Sequence, residues 1–255
     1  MNQFNQVRRN VIGAALLACG CFVNSASAAV LSVYTNDFDG NTTTASGVTA
    51  NIGSPALGTA SGGPYNGSNG KSWNGQFLQN TTTGNPATAT VLQFSNLPTH
   101  SQISVDFLLG FIDSWDSTNG SPAPDELRIS IDGSVPTVLT TVTAGGSVVN
   151  YAGGNLLVDN GQIDSNFFFS DDLVDMANAG FLTFAHSASS LTLSFQAGGA
   201  GWQGGADESW GIDALRITAV VPDRNGGQVP VPGVLALLGI GGMAAAFVRR
   251  RKVVL

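Results

Sequence analysis

Acidic residues gathered at the two ends of an apolar central region are the first candidates for chemistry in this sequence. Carboxylates supply the hard oxygen ligands that Ca²⁺ takes, about six to eight per ion. We therefore predict one structural calcium ion held between the first and last strands by Asp37, Asp39, Asp207, Glu208 and Asp213. The alternative is that these side chains cap loops and strand ends.

Three tryptophans in Gly- or Asp-rich segments are candidates for sugar binding, because aromatic faces stack on the apolar faces of sugars. We predict glycan stacking by Trp202, Trp115 and Trp73. Trp202 lies in the glycine-rich segment 198–205 and is expected to be the most exposed, whereas Trp210 directly precedes a strand and is expected to be buried.

The residues that most enzymes use are scarce in the central region. It holds two glutamates and two histidines, Glu126, Glu208, His100 and His186, and no cysteine. No spacing selects the carboxylate pair that a glycosidase needs, and no nucleophile-elbow motif accompanies His186. Two histidines without cysteine also argue against catalytic zinc. We therefore predict that the protein is not an enzyme and has no catalytic residues.

The charge distribution divides the chain into three parts. The 255 residues carry a net charge of −7, with 43% hydrophobic and only 11% charged residues. Six of the ten cations lie near the ends, at Arg8, Arg9 and 249–252, so the middle has four cations against all seventeen acids, a net charge of −13. This composition excludes a wholly disordered chain and a basic nucleic-acid binder.

The first 28 residues are predicted to be a cleaved signal peptide. Arg8 and Arg9 precede an apolar run over 11–23, and Ala26 and Ala28 form an Ala-x-Ala cleavage site. The run is too short to span a bilayer permanently. An alternative is lipidation at Cys19, which ends a sequence that resembles a lipobox.

The last 27 residues, 229–255, are predicted to be a sorting tail. Pro230 and Pro232 precede an apolar segment that ends at Val248, and a basic end of Arg249, Arg250, Arg251 and Lys252 follows. The uncharged stretch 229–248 would reach about 30 Å as a helix, enough to cross a bilayer. We therefore predict one C-terminal transmembrane helix over about 232–248, with its basic end in the cytoplasm. The alternative is a buried core helix.

This tail resembles the PEP-CTERM sorting signal of Gram-negative bacteria, with Val231 where that motif has glutamate. The resemblance implies processing by an exosortase and delivery to the cell surface or to the exopolysaccharide matrix. The remaining alternatives are a variant sortase or a tail that stays as a membrane anchor.

The region 29–220 is predicted to be one all-β domain, an antiparallel β-sandwich of the jelly-roll type, joined to the tail by a linker over 221–228. Short alternating or β-branched runs recur between loops rich in Gly, Asn and Ser. The predicted strands cover 31–38, 88–94, 102–112, 126–131, 137–142, 163–169, 190–195 and 211–220. Only Ser170–Gly180 is predicted to be helical, with Ser170 as its cap.

The ends of this domain resemble the terminal strands of jelly-roll domains that are common in PEP-CTERM proteins. The resemblance rests on Asn36–Gly40, on Asp207–Ile217 and on the segments around Trp115 and Glu126. Similar sandwiches among carbohydrate-binding modules and concanavalin-like domains often hold calcium. We expect a non-enzymatic structural or adhesive protein; the alternatives are a carbohydrate-binding module and a secreted glycan-active hydrolase.

Overall fold

The computed structural model describes residues 28–53, 56–116, 124–144, 148–166 and 168–222. The predicted signal peptide except its last residue, the C-terminal part of the linker and the sorting tail lie outside these residues. Within the described ranges the chain forms sixteen strands and three short 3₁₀ helices, and all strand pairs are antiparallel. The predicted all-β, antiparallel fold is therefore confirmed. No helix in these ranges is long and apolar enough to cross a membrane.

The strands fall into two large sheets and one hairpin. Their bounds are β1 (Ala28–Asn36), β2 (Thr42–Thr44), β3 (Thr49–Asn51), β4 (Ala56–Thr59), β5 (Tyr65–Asn66), β6 (Ser72–Trp73), β7 (Gln76–Asn80), β8 (Thr90–Ser95), β9 (Gln102–Asp113), β10 (Glu126–Ile131), β11 (Thr137–Leu139), β12 (Asn155–Gly161), β13 (Asp171–Asp175), β14 (Thr183–Ala185), β15 (Ser190–Gly198) and β16 (Glu208–Pro222). The 3₁₀ helices are Ser68–Gly70, Met176–Asn178 and Gly180–Leu182.

The first sheet has the order β12-β13-β9-β16-β1-β2, with β14 added to β9, β7 to β16, and β4 to β7. The second sheet has the order β11-β10-β15-β8-β3, and β5 pairs with β6 as a separate hairpin. In β15 the apolar side chains alternate with half-exposed polar ones, because only one face of this strand is buried. The main core lies between the two sheets, where the rings of Phe107 and Phe195 meet edge to face at 5.6 Å.

The second half of β9 is buried on both faces. From Phe107 to Asp113 every residue of β9 is buried, which matches its nearly continuous apolar run. Its outer face is covered by a second, smaller core cluster that includes Trp73, Phe77 and Ile163. The segments around Trp73 and Ile163 therefore form an outer layer over β9, on the face of the first sheet that points away from the main core.

Two sequence predictions of local structure are wrong. Asp171–Asp175, predicted to begin a helix, is the fully buried strand β13, because it pairs with β9 on one side and β12 on the other. The capping residue in this region is Asp175 instead of Ser170. The Asp175 side chain accepts a hydrogen bond from the backbone N–H of Ala177 at the start of the 3₁₀ helix Met176–Asn178. The run 163–169 was predicted as a strand, but among its described residues the β pairing is limited to an isolated bridge between Asp164 and Ala60.

Both ends of the domain lie at the same end of the first sheet. Ala28, the first residue of β1, pairs with Pro222, the last residue of β16. We call this the tail end. The opposite end of the sheet, where Asp113 of β9 pairs with Glu208 of β16, we call the distal end.

Candidate functional site

The five acidic residues predicted to hold one calcium ion lie in two separate places. Glu208 pairs with Asp113 at the distal end, whereas Asp213 pairs with Leu108, five residues further along β16. At the rise of an extended strand these positions are about 16 Å apart. A single ion cannot contact both, so the prediction of one shared site is wrong. Within the described ranges, no three His, Cys, Asp or Glu side chains are placed to hold a metal ion.

Asp37, Asp39 and Asp213 form the first of these two groups, and backbone amides already bind their carboxylates. Asp37 Oδ1 accepts from the amides of Asp39 and Asn41, and Asp39 Oδ1 accepts from that of Gln76. Burial raises the pKa of Asp213 to about 7, and the charges of Asp39 and Asp37 add to the effect. These side chains act as turn caps, as the alternative interpretation predicted, and calcium at this group stays a prediction.

The second group lies at the distal end, where Asp125 and Glu208 are fully buried. Asp125 Oδ2 accepts from the amide of Asp116 at 2.5 Å, and Glu208 Oε2 accepts from that of Gln203 at 2.6 Å. The other oxygens, Asp125 Oδ1 and Glu208 Oε1, are buried and have no hydrogen-bond partner among the described residues. Burial, together with the charges of Glu208 and Asp116, raises the pKa of Asp125 to about 8. Asp125 is therefore mostly protonated at neutral pH.

The three tryptophans predicted to stack on sugars are buried, so this prediction is wrong. Trp73 and Trp115 are 0% exposed, and their indole N–H groups donate to the carbonyl oxygens of Ile163 and Ser209. Trp202 is only 5% exposed and packs against Trp115, with ring centroids 5.2 Å apart. The glycine-rich segment around Trp202 folds this ring inward instead of presenting it. Trp210 is buried, as predicted.

A polar cavity of about 430 Å³ opens at the distal end, lined by Thr59, Gln79, Asp113, Asp164, Asn166 and Ser209 among others. We call it the distal cavity. Its two carboxyl side chains each use one oxygen to accept from the backbone, Asp113 from the amides of Phe168 and Phe169 and Asp164 from that of Asn166. Their Oδ2 atoms accept no hydrogen bond from the described residues. Burial and the charge of Asp113 raise the pKa of Asp164 to about 6.

Two exposed aromatic residues lie next to this cavity. Phe168 is 63% exposed and Phe169 is 41% exposed, and their backbone amides bind Asp113 in the cavity wall. The sequence analysis missed them because it assigned the Phe run to a strand. Three consecutive large aromatic residues beside Ser and Asn were the available signal.

The two histidines meet at the tail end in a chain of hydrogen bonds beside a cavity of about 880 Å³. His186 lies between Asp132, at 3.1 Å from its Nε2, and His100, whose Nε2 is 2.7 Å from His186 Nδ1. His100 Nδ1 lies 2.5 Å from the carbonyl oxygen of Pro98. These contacts occupy all four ring nitrogens of the two histidines. In this arrangement no nitrogen is free to act as a base toward a nearby serine.

Comparison with known proteins identifies the C-terminal segment. Residues 228–252 match the family model of the PEP-CTERM protein-sorting motif, despite Val231 at the position of its glutamate. No curated protein matches the chain.

Two solved structures show weak likeness. AvmM, which catalyzes macrocyclization in alchivemycin A biosynthesis, is 10% identical over 54% of this chain and 72% of its own, with a TM-score of 0.24. A structure of infectious bursal disease virus Gx strain is 14% identical over 70% of this chain and 32% of its own, with a TM-score of 0.23. At these TM-scores neither likeness carries an argument about function.

Proposed function

We propose that this exosortase-sorted exported protein is a non-enzymatic component of the cell surface or of the exopolysaccharide matrix, with a structural or adhesive role. The sorting motif indicates export, membrane association and processing by an exosortase. The observation that carries the proposal is the pairing of β1 with the end of β16, with Ala29 opposite Val221, which puts the attachment point of the tail at one end of the domain.

This arrangement directs the distal end away from the membrane. β16 runs over 15 residues from Glu208 to Pro222, which corresponds to roughly 45 Å of extended strand. While the tail is held at the membrane, the distal cavity and the acidic side chains around Glu208 lie furthest from it. The exposed Phe168 and Phe169 lie at the same end. The distal end is therefore the part of the domain best placed to contact other extracellular molecules.

The distal cavity favours extracellular polysaccharide as the contact. Sugar hydroxyls donate readily to carboxylate oxygens, and no described residue donates to Oδ2 of Asp113 or of Asp164. Polar side chains of Asn166 and Ser209 line the same space. The exposed rings of Phe168 and Phe169 supply apolar faces for stacking beside these polar groups. Carbohydrate binding is thus our second proposal, and it gives the adhesive role a specific site.

Cell fractionation tests the proposed destination. We expect the full chain, expressed in a host that has an exosortase, to be accessible to protease added outside intact cells. Deletion of 228–252 should abolish surface retention and release the domain in soluble form, because it removes the sorting motif on which processing and surface delivery depend. Surface retention that persists without 228–252 would contradict the proposal.

Polysaccharide binding by the full chain tests the distal cavity. We expect Asp164→Asn and Phe168→Ala each to weaken binding of the host's exopolysaccharide about tenfold, since one good contact is worth roughly 1.4 kcal/mol. Asp159→Asn is the matched control, because Asp159 is an exposed carboxylate on β12, away from this cavity. Equal binding by all variants would exclude the distal cavity, and release of new reducing ends would favour a hydrolase instead.

A further inference from the structure

Lys71 is a buried cation between two carboxylates that come from distant parts of the chain. Its side chain is 0% exposed, and its Nζ forms ion pairs with Asp106 Oδ1 and with Asp175 Oδ1, the latter at 2.6 Å. Asp106 lies on β9 and Asp175 ends β13, whereas Lys71 precedes β6. A buried amine in close contact with a carboxyl group is a reactive arrangement as well as an ion pair.

Both carboxyl groups are held in fixed orientations. Asp106 Oδ2 accepts from the side-chain amide of Asn69 at 3.1 Å, which leaves Oδ1 toward Lys71. Asp175 accepts from the backbone amides of Ser68 at 2.5 Å and Ala177 at 3.0 Å. Burial raises the pKa of Asp175, but hydrogen bonds from Lys71 and these amides outweigh it and bring the pKa below its ordinary value. Asp175 therefore stays ionised, with its Oδ1 in contact with Lys71 Nζ.

We propose that Lys71 and Asp106 are joined by an intramolecular amide bond, formed without any other reactant, with Asp175 as the proton carrier. The neutral amine and carboxylic acid differ from the ion pair by a single proton transfer, and both carboxyl groups that could mediate it contact Lys71 Nζ. Asp175 takes a proton from Lys71 Nζ and passes it to Asp106 Oδ1. The neutral amine is then placed to attack the carboxyl carbon.

The reaction is a balanced condensation. Nζ forms a bond to Cγ of Asp106, the bond from Cγ to Oδ1 breaks, and Oδ1 leaves with two of the three ammonium protons as water. The third proton stays on the amide nitrogen, and Oδ2 becomes the amide oxygen. The side-chain N–H of Asn69 donates to Oδ2, where negative charge develops in the tetrahedral intermediate. Asp106 is 17% exposed, so the water has a route out.

The bond would fasten an outer segment to the central strand of the first sheet. Residues 67–72 contact this sheet mainly through polar groups, such as the pairing of Arg216 with the carbonyl of Asn69. Both cysteines of the chain precede residue 28, so a disulfide within the domain cannot supply this covalent link. A covalent link suits a domain that is held at one end and pulled at the other.

Mass spectrometry of the denatured full chain tests this bond. We expect the protein to be about 18 Da, one water, lighter than its sequence predicts after terminal processing is assigned. Trypsin cannot cut after an acylated lysine, so Lys71 and Arg128 should end up in one peptide that contains the loop from 71 to 106. This second readout distinguishes the link from water loss elsewhere. A wild-type protein of unmodified mass, cut at Lys71, would overturn the proposal.

Three variants assign the roles. Lys71→Arg keeps the charge but removes the nucleophile, and Asp175→Asn keeps both reactants but removes the proton carrier, so both should show the unmodified mass. Asp172→Asn is the matched control: it alters a buried carboxylate on the same strand that contacts Thr141 and Tyr151, and it should keep the loss of 18 Da. Loss of the link in the control as well as in Asp175→Asn would refute the role of Asp175.

Discussion

Buried carboxyl groups dominate the chemistry of this domain at the scale of single residues. Burial raises the pKa of Asp125 to about 8, that of Asp213 to about 7, and those of Asp164 and Asp171 to about 6, all from 3.8. The folded state therefore binds more protons than the unfolded chain between about pH 4 and pH 8. The stability that these groups contribute is fully present below about pH 4 and is lost as the pH rises through 6 to 8.

We accordingly predict that the domain is less stable in mild alkali than in mild acid. The free energy of unfolding by urea should be larger at about pH 5 than at about pH 9. Asp125→Asn should flatten this dependence between about pH 4 and pH 8, because the amide binds no proton in either the folded or the unfolded state. A stability that rises from pH 5 to pH 9 in the wild-type protein would contradict these pKa shifts.

Residue type alone did not reveal which aromatic side chains are exposed. Trp202 lies among glycines yet is 5% exposed, whereas Phe168 is 63% exposed. The direction of a ring depends on the neighbours that the fold supplies, here Trp115 for Trp202. For this reason, the aromatic residues that we propose to stack on sugars are the exposed phenylalanines and not the buried tryptophans.

At the scale of strands, the close packing of the outer layer onto β9 limits side-chain size. A Cβ atom added at Gly110 would lie 2.8 Å from Ile163 Cδ1 and 2.8 Å from Trp73 Cη2. Both neighbours belong to the small outer core cluster and are fully buried. The absence of a side chain at Gly110 thus lets Trp73 and Ile163 pack directly against the backbone of β9.

We predict that Gly110→Ala destabilises the domain by about 1–3 kcal/mol, the usual cost of overpacking a core. Gly180→Ala is the control, because a Cβ atom there meets nothing within 4 Å and the backbone angle is not positive. Urea denaturation of both variants measures the difference. Equal free energies of unfolding for the two variants would contradict the prediction, because Trp73 and Ile163 would then have shifted at little cost to make room for the methyl group.

Long alternating or apolar strands could be predicted from sequence, whereas short polar strands could not. The predicted strand 126–131 has the same bounds as β10, and the run 102–112 differs from β9 by one residue. Strands β2 and β3 are three residues each and mostly exposed, so they carry no burial pattern. β13 contains three aspartates in five residues and was taken for a helix start, because the groups that bind those aspartates come from distant segments.

The candidate sites depended on strand register, which the sequence does not display. Asp207, Glu208 and Asp213 are close in sequence, but an extended strand separates Glu208 from Asp213 by about 16 Å. Conversely, Asp113 and Asp164 are 51 positions apart in the numbering and line the same cavity. Lys71, Asp106 and Asp175 likewise meet only because β9 and β13 are neighbours.

At the scale of the whole molecule, the partition of charge agrees with the topology. A domain of net charge −13 lies between two apolar segments with basic flanks, and its first and last strands pair at the tail end. The sorting motif at 228–252 follows directly from that end. The central claim is that this motif delivers the domain to the outside of the cell and that an exosortase processes it.

The most direct test is the C-terminal residue of the protein recovered from the cell surface, determined by intact mass. In a host with an active exosortase we predict a chain that begins near Ala29 and ends near Pro232, without the apolar segment and the basic end. In the same host without the exosortase, the chain should retain its tail through Leu255 and stay with the membrane. A surface protein that carries the complete tail in both hosts would contradict the account.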